Sequence, residues 1–96
     1  MIEVIVAAAA DIEPLIELES ALFREDAAQH DPYADATWPR RAGRQDFEDL
    51  IASPAGVVLA ARREGVHVGL LAGYATNASP TRRPVTYAVL RTMYVA

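Results

Sequence analysis

Apolar residues run from Val4 to Ala10 and give way at once to Asp11, whose carboxylate can accept hydrogen bonds from the first amides of a helix. A strand leading straight into a helix is expected there. Pro14 falls in the first turn, where a missing N–H is harmless, and Ile12, Leu15, Leu18 and Leu22 recur at steps of three and four. Glu13, Glu17 and Glu19 lie off that stripe and are expected to face solvent. The helix is expected to reach about Gln29, because Asp31-Pro32 biases the chain away from helical geometry. A loop holding His30, Tyr33, Asp35, Trp38 and Pro39 follows, then a shorter helix over Ala42 to Ala52 carried by Phe47, Leu50 and Ile51.

Beyond Ser53-Pro54 and Gly56 the period changes from helical to extended. Val57 to Arg62 and Val66 to Ala75 are aliphatic runs separated by Arg63-Glu64-Gly65, where glycine supplies the positive φ of a tight reversal. They are expected to pair as an antiparallel hairpin. Asn77-Ala78-Ser79-Pro80 and Arg82-Arg83-Pro84 break the next connection, and Val85 to Val95 reads as one long strand. The predicted order is β-α-α-β-β-β: an α+β fold of about four mainly antiparallel strands with two helices on one face, forming a single domain over residues 1–96.

Composition narrows the classes of function. The chain of 96 residues is 52% hydrophobic and 23% charged, a globular balance. Its net charge is −4, and all nine cations are arginines. An acidic chain without a basic field argues against nucleic acid as a partner. The absence of cysteine removes disulfides, thiolate metal sites and a cysteine nucleophile. No apolar run approaches the ~20 residues a membrane span needs, and Met1-Ile2-Glu3 lacks the basic start of a secretory signal. No membrane partner and a cytoplasmic location are therefore expected. His30 and His67 are too isolated to suggest a metal site.

The element order, together with Leu90-Arg91-Thr92-Met93-Tyr94-Val95, resembles the N-terminal half of a GNAT-superfamily N-acetyltransferase up to the end of its fourth strand. Phe23-Arg24-Glu25-Asp26, Asp31-Pro32-Tyr33 and Glu64-Gly65 agree with that likeness. In the family the strand leads into an Arg/Gln-x-x-Gly-x-Gly/Ala loop, whose amides at a helix N-terminus hold the pyrophosphate of acetyl-CoA. The resemblance implies that such a loop lies outside these 96 residues. It also implies acetyl-CoA as co-substrate, a small-molecule or peptide amine as acceptor, and completion by a C-terminal half or a homodimer.

Site residues follow from the same likeness. The main chain of Met93, Tyr94 and Val95 would lie against the acetyl group and pantetheine arm; read from the strand alone, the three are core residues. Tyr33, Asp35 and Trp38 would form a wall of the acceptor site, or else an aromatic cap over the core. Arg91 interrupts an odd-numbered face of Val85, Tyr87, Val89, Met93 and Val95, and so sits either in a solvated cleft or at a bulge. In a cleft, its planar fork would suit an acceptor carboxylate or phosphate. Many relatives carry a glutamate base on this strand, but Val89, Leu90 and Arg91 supply none, so no catalytic residue is assigned. The competing expectation is a non-catalytic module that recruits a partner through the exposed edge of its last strand.

Overall fold

A computed structural model describes residues 1–77 and 86–96, leaving aside the side chains of Asn77, Thr86 and Tyr87. Its elements are β1 (Ile2–Val6), a single 3-10 turn (Ala9–Asp11), α1 (Ile12–Gln29), α2 (Trp38–Ala52), β2 (Gly56–Arg63), β3 (Val66–Asn77) and β4 (Thr86–Val95). The expected α+β order is present. The four strands form one antiparallel sheet in the order β1-β2-β3-β4, and both helices lie on one face of it. The connection from Ala78 to Pro84, with Val85, lies outside the described residues.

Two boundaries move from the sequence reading, each for a local reason. The first strand stops at Val6, because Asp11 does not cap α1 forward but reaches back. Its Oδ2 accepts from the Ala8 amide at 2.9 Å, which folds Ala9–Asp11 into the 3-10 turn. The second helix begins at Trp38 rather than Ala42, with Pro39 in its first turn, where proline's fixed φ is already helical. Trp38 thus belongs to a helix and not to the loop.

The core lies between the sheet's inner face and the helices. Ile12, Leu15, Ile16 and Leu18 of α1 and Phe47 of α2 bury against Val58 and Ala60 of β2 and Leu70 and Ala72 of β3. The turn joining β2 to β3 is Glu64-Gly65, and both residues have positive φ, 53° and 80°. That is the pattern of a type I′ turn, whose twist matches a tight hairpin. The sheet's other face is bare and apolar, with Val4, Val6, Leu90, Met93 and Val95 all exposed.

Three features tie the periphery to this frame. His67 Nε2 of β3 meets Asp11 Oδ1 at 2.9 Å, so one carboxylate joins the sheet to the start of α1. The Ala8 amide first, and then His67, lower the pKa of Asp11. Arg40 pairs with Glu17 at 2.5 Å and Arg44 with Glu13, but these exposed pairs each add little. In β4 the register shifts: Leu90 pairs with Gly73 and Thr92 with Ala72, leaving Arg91 as the extra residue of a bulge. Gly73 permits it, since a Cβ there would lie 2.5 Å from the Val89 carbonyl oxygen.

Two outcomes are expected. Gly73→Ala drives its methyl into the opposing backbone and destabilises the fold by roughly 1–3 kcal/mol in urea unfolding. Asp11→Ala costs about 1–2 kcal/mol near neutral pH. Because folding lowers the pKa of Asp11, its contribution is present above the ordinary value of 3.8 and is lost as pH falls through the folded value. The variant's stability therefore declines less steeply in acid, which unfolding curves at several pH values measure.

Candidate functional site

The bulge decides what β4 presents. An extra residue at Arg91 resets the alternation of side chains, so the odd-numbered face expected over Val85 to Val95 is not continuous. Arg91 turns toward the helical layer, where its Nη1 and Nη2 donate to Asp46 Oδ1 and Oδ2 of α2 at 2.8 and 2.6 Å. Met93 and Leu90 are 62% and 58% exposed, and Val95 is 74% exposed.

Between β4 and the helices opens a cleft of about 740 Å³. From α1 it takes Glu19, Leu22, Phe23 and Asp26; from the inter-helix loop and α2, Asp35, Trp38 and Asp46; from β4, Arg91, Thr92 and Met93. The Phe23 and Trp38 rings stack within it, with centroids 5.9 Å apart and planes 12° from parallel. On the other side of the strand a smaller apolar groove of about 190 Å³ is lined by Met93, Tyr94 and Val95, together with residues of β1, β2 and β3. The two depressions share Met93.

The residues singled out from sequence fall into two groups. Asp35, Trp38 and Arg91 come together in the larger cleft, and Met93, Tyr94 and Val95 border the smaller one. Tyr33 stands apart from both, 93% exposed on the loop, its amide donating to Asp31 Oδ1 at 2.9 Å. The Tyr94 ring leans toward α1, where its hydroxyl donates to Glu25 Oε1 at 2.8 Å. That bond and the neighbouring negative charge raise the tyrosine's pKa. Asp35 is fixed by the Thr37 hydroxyl at 2.6 Å, the Thr37 amide at 2.9 Å and Arg41 at 2.6 Å, which bring its pKa down to about 2. Arg91 lies both at the bulge and in the cleft, and Asp46 occupies both arms of its fork.

Glu19 is the residue that the sequence reading missed. Expected at the surface, it is 1% exposed, and its Oε1 has no hydrogen-bond partner. Burial pushes its carboxyl up to about 7, against the pull of Arg91 and with the charge of Asp46 adding to the effect. The signal was present in the spacing. Ile12, Leu15, Glu19, Leu22 and Asp26 recur at three and four, so Glu19 lies on the buried stripe itself.

No protein-family model matches the chain, and no curated protein sequence matches it significantly. Solved structures do match, in fold. A Bacillus halodurans protein superposes with a TM-score of 0.82 at 12% identity, over 98% of this chain and 61% of that one. An acetyltransferase from Vibrio fischeri gives 0.74 at 19% identity, over 97% and 68%. The PaiA N-acetyltransferase of Thermoplasma acidophilum, in complex with coenzyme A, gives 0.74 at 17% identity, over 99% and 58%. The fold is that of the first part of acyl-CoA N-acyltransferases, and the chain spans about 60% of the length of most of these neighbours. Among the described residues no helix is long and apolar enough to cross a membrane.

The buried carboxyl yields a test. Glu19 has a folded pKa of about 7 against an ordinary 4.5. Ionisation therefore leaves the fold unpenalised below the unfolded value and penalised as pH rises through the folded one. Glu19→Gln is expected to gain stability on raising the pH from ~4.5 to ~8, by up to roughly 3 kcal/mol relative to the parent. Urea unfolding of both chains at the two pH values measures the difference.

Proposed function

We propose that the chain is the N-terminal part of an acetyl-CoA-dependent N-acetyltransferase that passes acetyl to a primary amine by direct attack in a ternary complex. The observation that carries this reading is the meeting of two depressions at Met93 on an edge strand. The larger cleft is acidic and aromatic, and suits an amine. The smaller is apolar and runs along Met93, Tyr94 and Val95, whose main chain would lie beside the thioester. Fold neighbours solved with acetyl-CoA, from Clostridium acetobutylicum, and with coenzyme A support the same assignment.

In that complex the free amine attacks the thioester carbonyl carbon; the new carbon–nitrogen bond forms as the carbon–sulfur bond breaks, and coenzyme A leaves as the thiolate. The amine's surplus proton is released. Fixed amides at the open edge of β4 would stabilise the charge on the carbonyl oxygen, because they are aligned before the reaction begins. No side chain has to form a covalent intermediate. Asp35, Trp38 and the Arg91–Asp46 pair would shape the acceptor wall, while Tyr33 contributes only to the outer loop.

The bare sheet face around Val4, Val6, Leu90 and Val95 is where further chain would pack, whether from a C-terminal half or from a second subunit. The phosphate-holding loop would come with it. The fold likeness favours this reading over a module that merely pairs through its edge strand. A cytoplasmic setting, where acetyl-CoA is made and used, is part of the proposal.

The test compares the 96-residue chain with a form extended by the coding sequence that follows Ala96. Calorimetry with acetyl-CoA is expected to show binding at least about tenfold tighter for the extended form. Thiol release with a panel of primary amines is expected from that form alone. Equally tight binding by the short chain would overturn the division of labour, and no thiol release from the extended form would overturn the enzymatic reading.

A further inference from the structure

The strand that would carry the chemistry is held along one edge. Among the described residues β4 hydrogen-bonds to β3 alone, with Thr92 opposite Ala72, Met93 opposite Leu71 and Tyr94 opposite Leu70. A ladder on one side fixes the register of a strand but leaves it freer to twist about that ladder, and the bulge at Arg91 interrupts the regular pairing just before this segment. Something else has to set the strand's angle.

Two side-chain struts do so, one from each helix. Asp46 of α2 takes both arms of Arg91, at 2.8 and 2.6 Å, and Glu25 of α1 accepts from the Tyr94 hydroxyl at 2.8 Å. Arg91 and Tyr94 flank Thr92 and Met93, where the strand passes the larger cleft. The strand is thus pinned to both helices across the stretch that borders the cavity.

The first strut differs from the ion pairs on the protein surface. The Arg91 and Asp46 side chains are 32% and 23% exposed, whereas both partners in the pairs that Arg40, Arg41 and Arg44 make are at least 48% exposed. A two-pronged, half-shielded pair restricts orientation as well as distance, while exposed pairs contribute little. In the second strut the Tyr94 ring packs on the core, so a rigid ring carries the position of α1 to the strand.

Resting on the acetyl-transfer reading above, we propose that Asp46 and Glu25 are positioning residues which, acting through Arg91 and Tyr94, set the angle at which the Thr92–Tyr94 main chain meets the acyl group. Neither carboxylate is required to touch the reacting atoms, and both oxygens of Asp46 are already spent on the guanidinium. Edge-strand amides stabilise charge on a carbonyl oxygen only when they are aimed at it beforehand, and a misplacement of about 1 Å costs up to about a hundredfold in rate. The struts therefore act on turnover more than on binding.

The first measurement needs no acyl donor. Native-state hydrogen exchange on the 96-residue chain compares the parent with Asp46→Ala and Glu25→Ala, and with Glu48→Ala as a control, an exposed α2 carboxylate whose partner is Arg44. Amides of Thr92 to Tyr94 are expected to exchange about tenfold faster in either strut variant, while the β2–β3 ladder and the whole control chain stay within about twofold of the parent. Faster exchange throughout the sheet signals a general loss of stability, and unchanged exchange in β4 signals idle struts; either result overturns the proposal.

The second measurement uses the form extended beyond Ala96. Asp46→Ala is expected to lower kcat by roughly 10- to 100-fold with KM for the amine within about threefold. Arg91→Met gives the same loss, and the double variant is no worse than either single one, because each removes the same strut. Glu25→Ala and Tyr94→Phe form the corresponding square at the second strut. A loss that falls on KM, or losses that add, means that these carboxylates meet the acceptor directly, and the proposal is then wrong. The two struts come from separate helices, so a variant that fails to fold at one leaves the other to decide. Absence of thiol release from the parent extended form counts against the transfer reading alone, and the exchange pattern still decides whether the struts hold the strand.

Discussion

A two-pronged ion pair between an edge strand and a helix is the contact on which the site depends. Arg91 can reach Asp46 only because β4 carries one residue more than β3 opposite it, and β3 can accept that surplus only because Gly73 has no side chain to strike the Val89 carbonyl. The bulge turns Arg91 toward α2 while Met93 and Val95 stay on the open side. A regular strand would have sent Arg91 out with them. One missing methyl group therefore sets where the cationic end of the cleft wall stands, and Asp46 holds it there.

The same pair shapes the electrostatics around it. With Arg91 answered by Asp46, the cleft has no spare positive charge among its described residues, and the Glu19 carboxyl is left in an apolar wall with Arg91 too committed to serve it. That unsatisfied acid is a local cost of the packing, since its Oε1 lies in the seam between the helices beside Gly43. The stacked Phe23 and Trp38 rings close the same cavity from the loop side, and the start of α2 at Trp38 fixes where they meet.

The sheet is asymmetric in a way that fits a part of a larger fold. Its inner face is sealed by α1 and α2, while its outer face presents valines, a leucine and a methionine to solvent. At one edge β4 stands between a cleft of aromatic and acidic residues and an apolar groove, and the two share one residue, Met93. An acyl donor and an amine bound on the two sides would come together at the strand's end, and the proposed chemistry needs that juxtaposition more than it needs any one reactive residue.

Much of the architecture was legible from local pattern. The switch from three-and-four spacing to aliphatic runs separated both helices from the last three strands, and Glu64-Gly65 marked the hairpin, because periodicity and turn chemistry act over a few residues. Of the residues that the sequence singles out, Asp35, Trp38 and Arg91 line one cavity while Tyr33 stands apart on the loop, since an aromatic on a loop carries no local mark of which way it faces. Glu19 was misplaced for a related reason: its polarity outweighed its position on the stripe Ile12, Leu15 and Leu22. Only the tertiary structure paired Asp11 with His67, Asp46 with Arg91 and Tyr94 with Glu25, contacts spanning 56, 45 and 69 residues. Sequence alone sets what each segment can form locally; which distant charges meet, and which one is left buried without a partner, is settled when the helices close on the sheet.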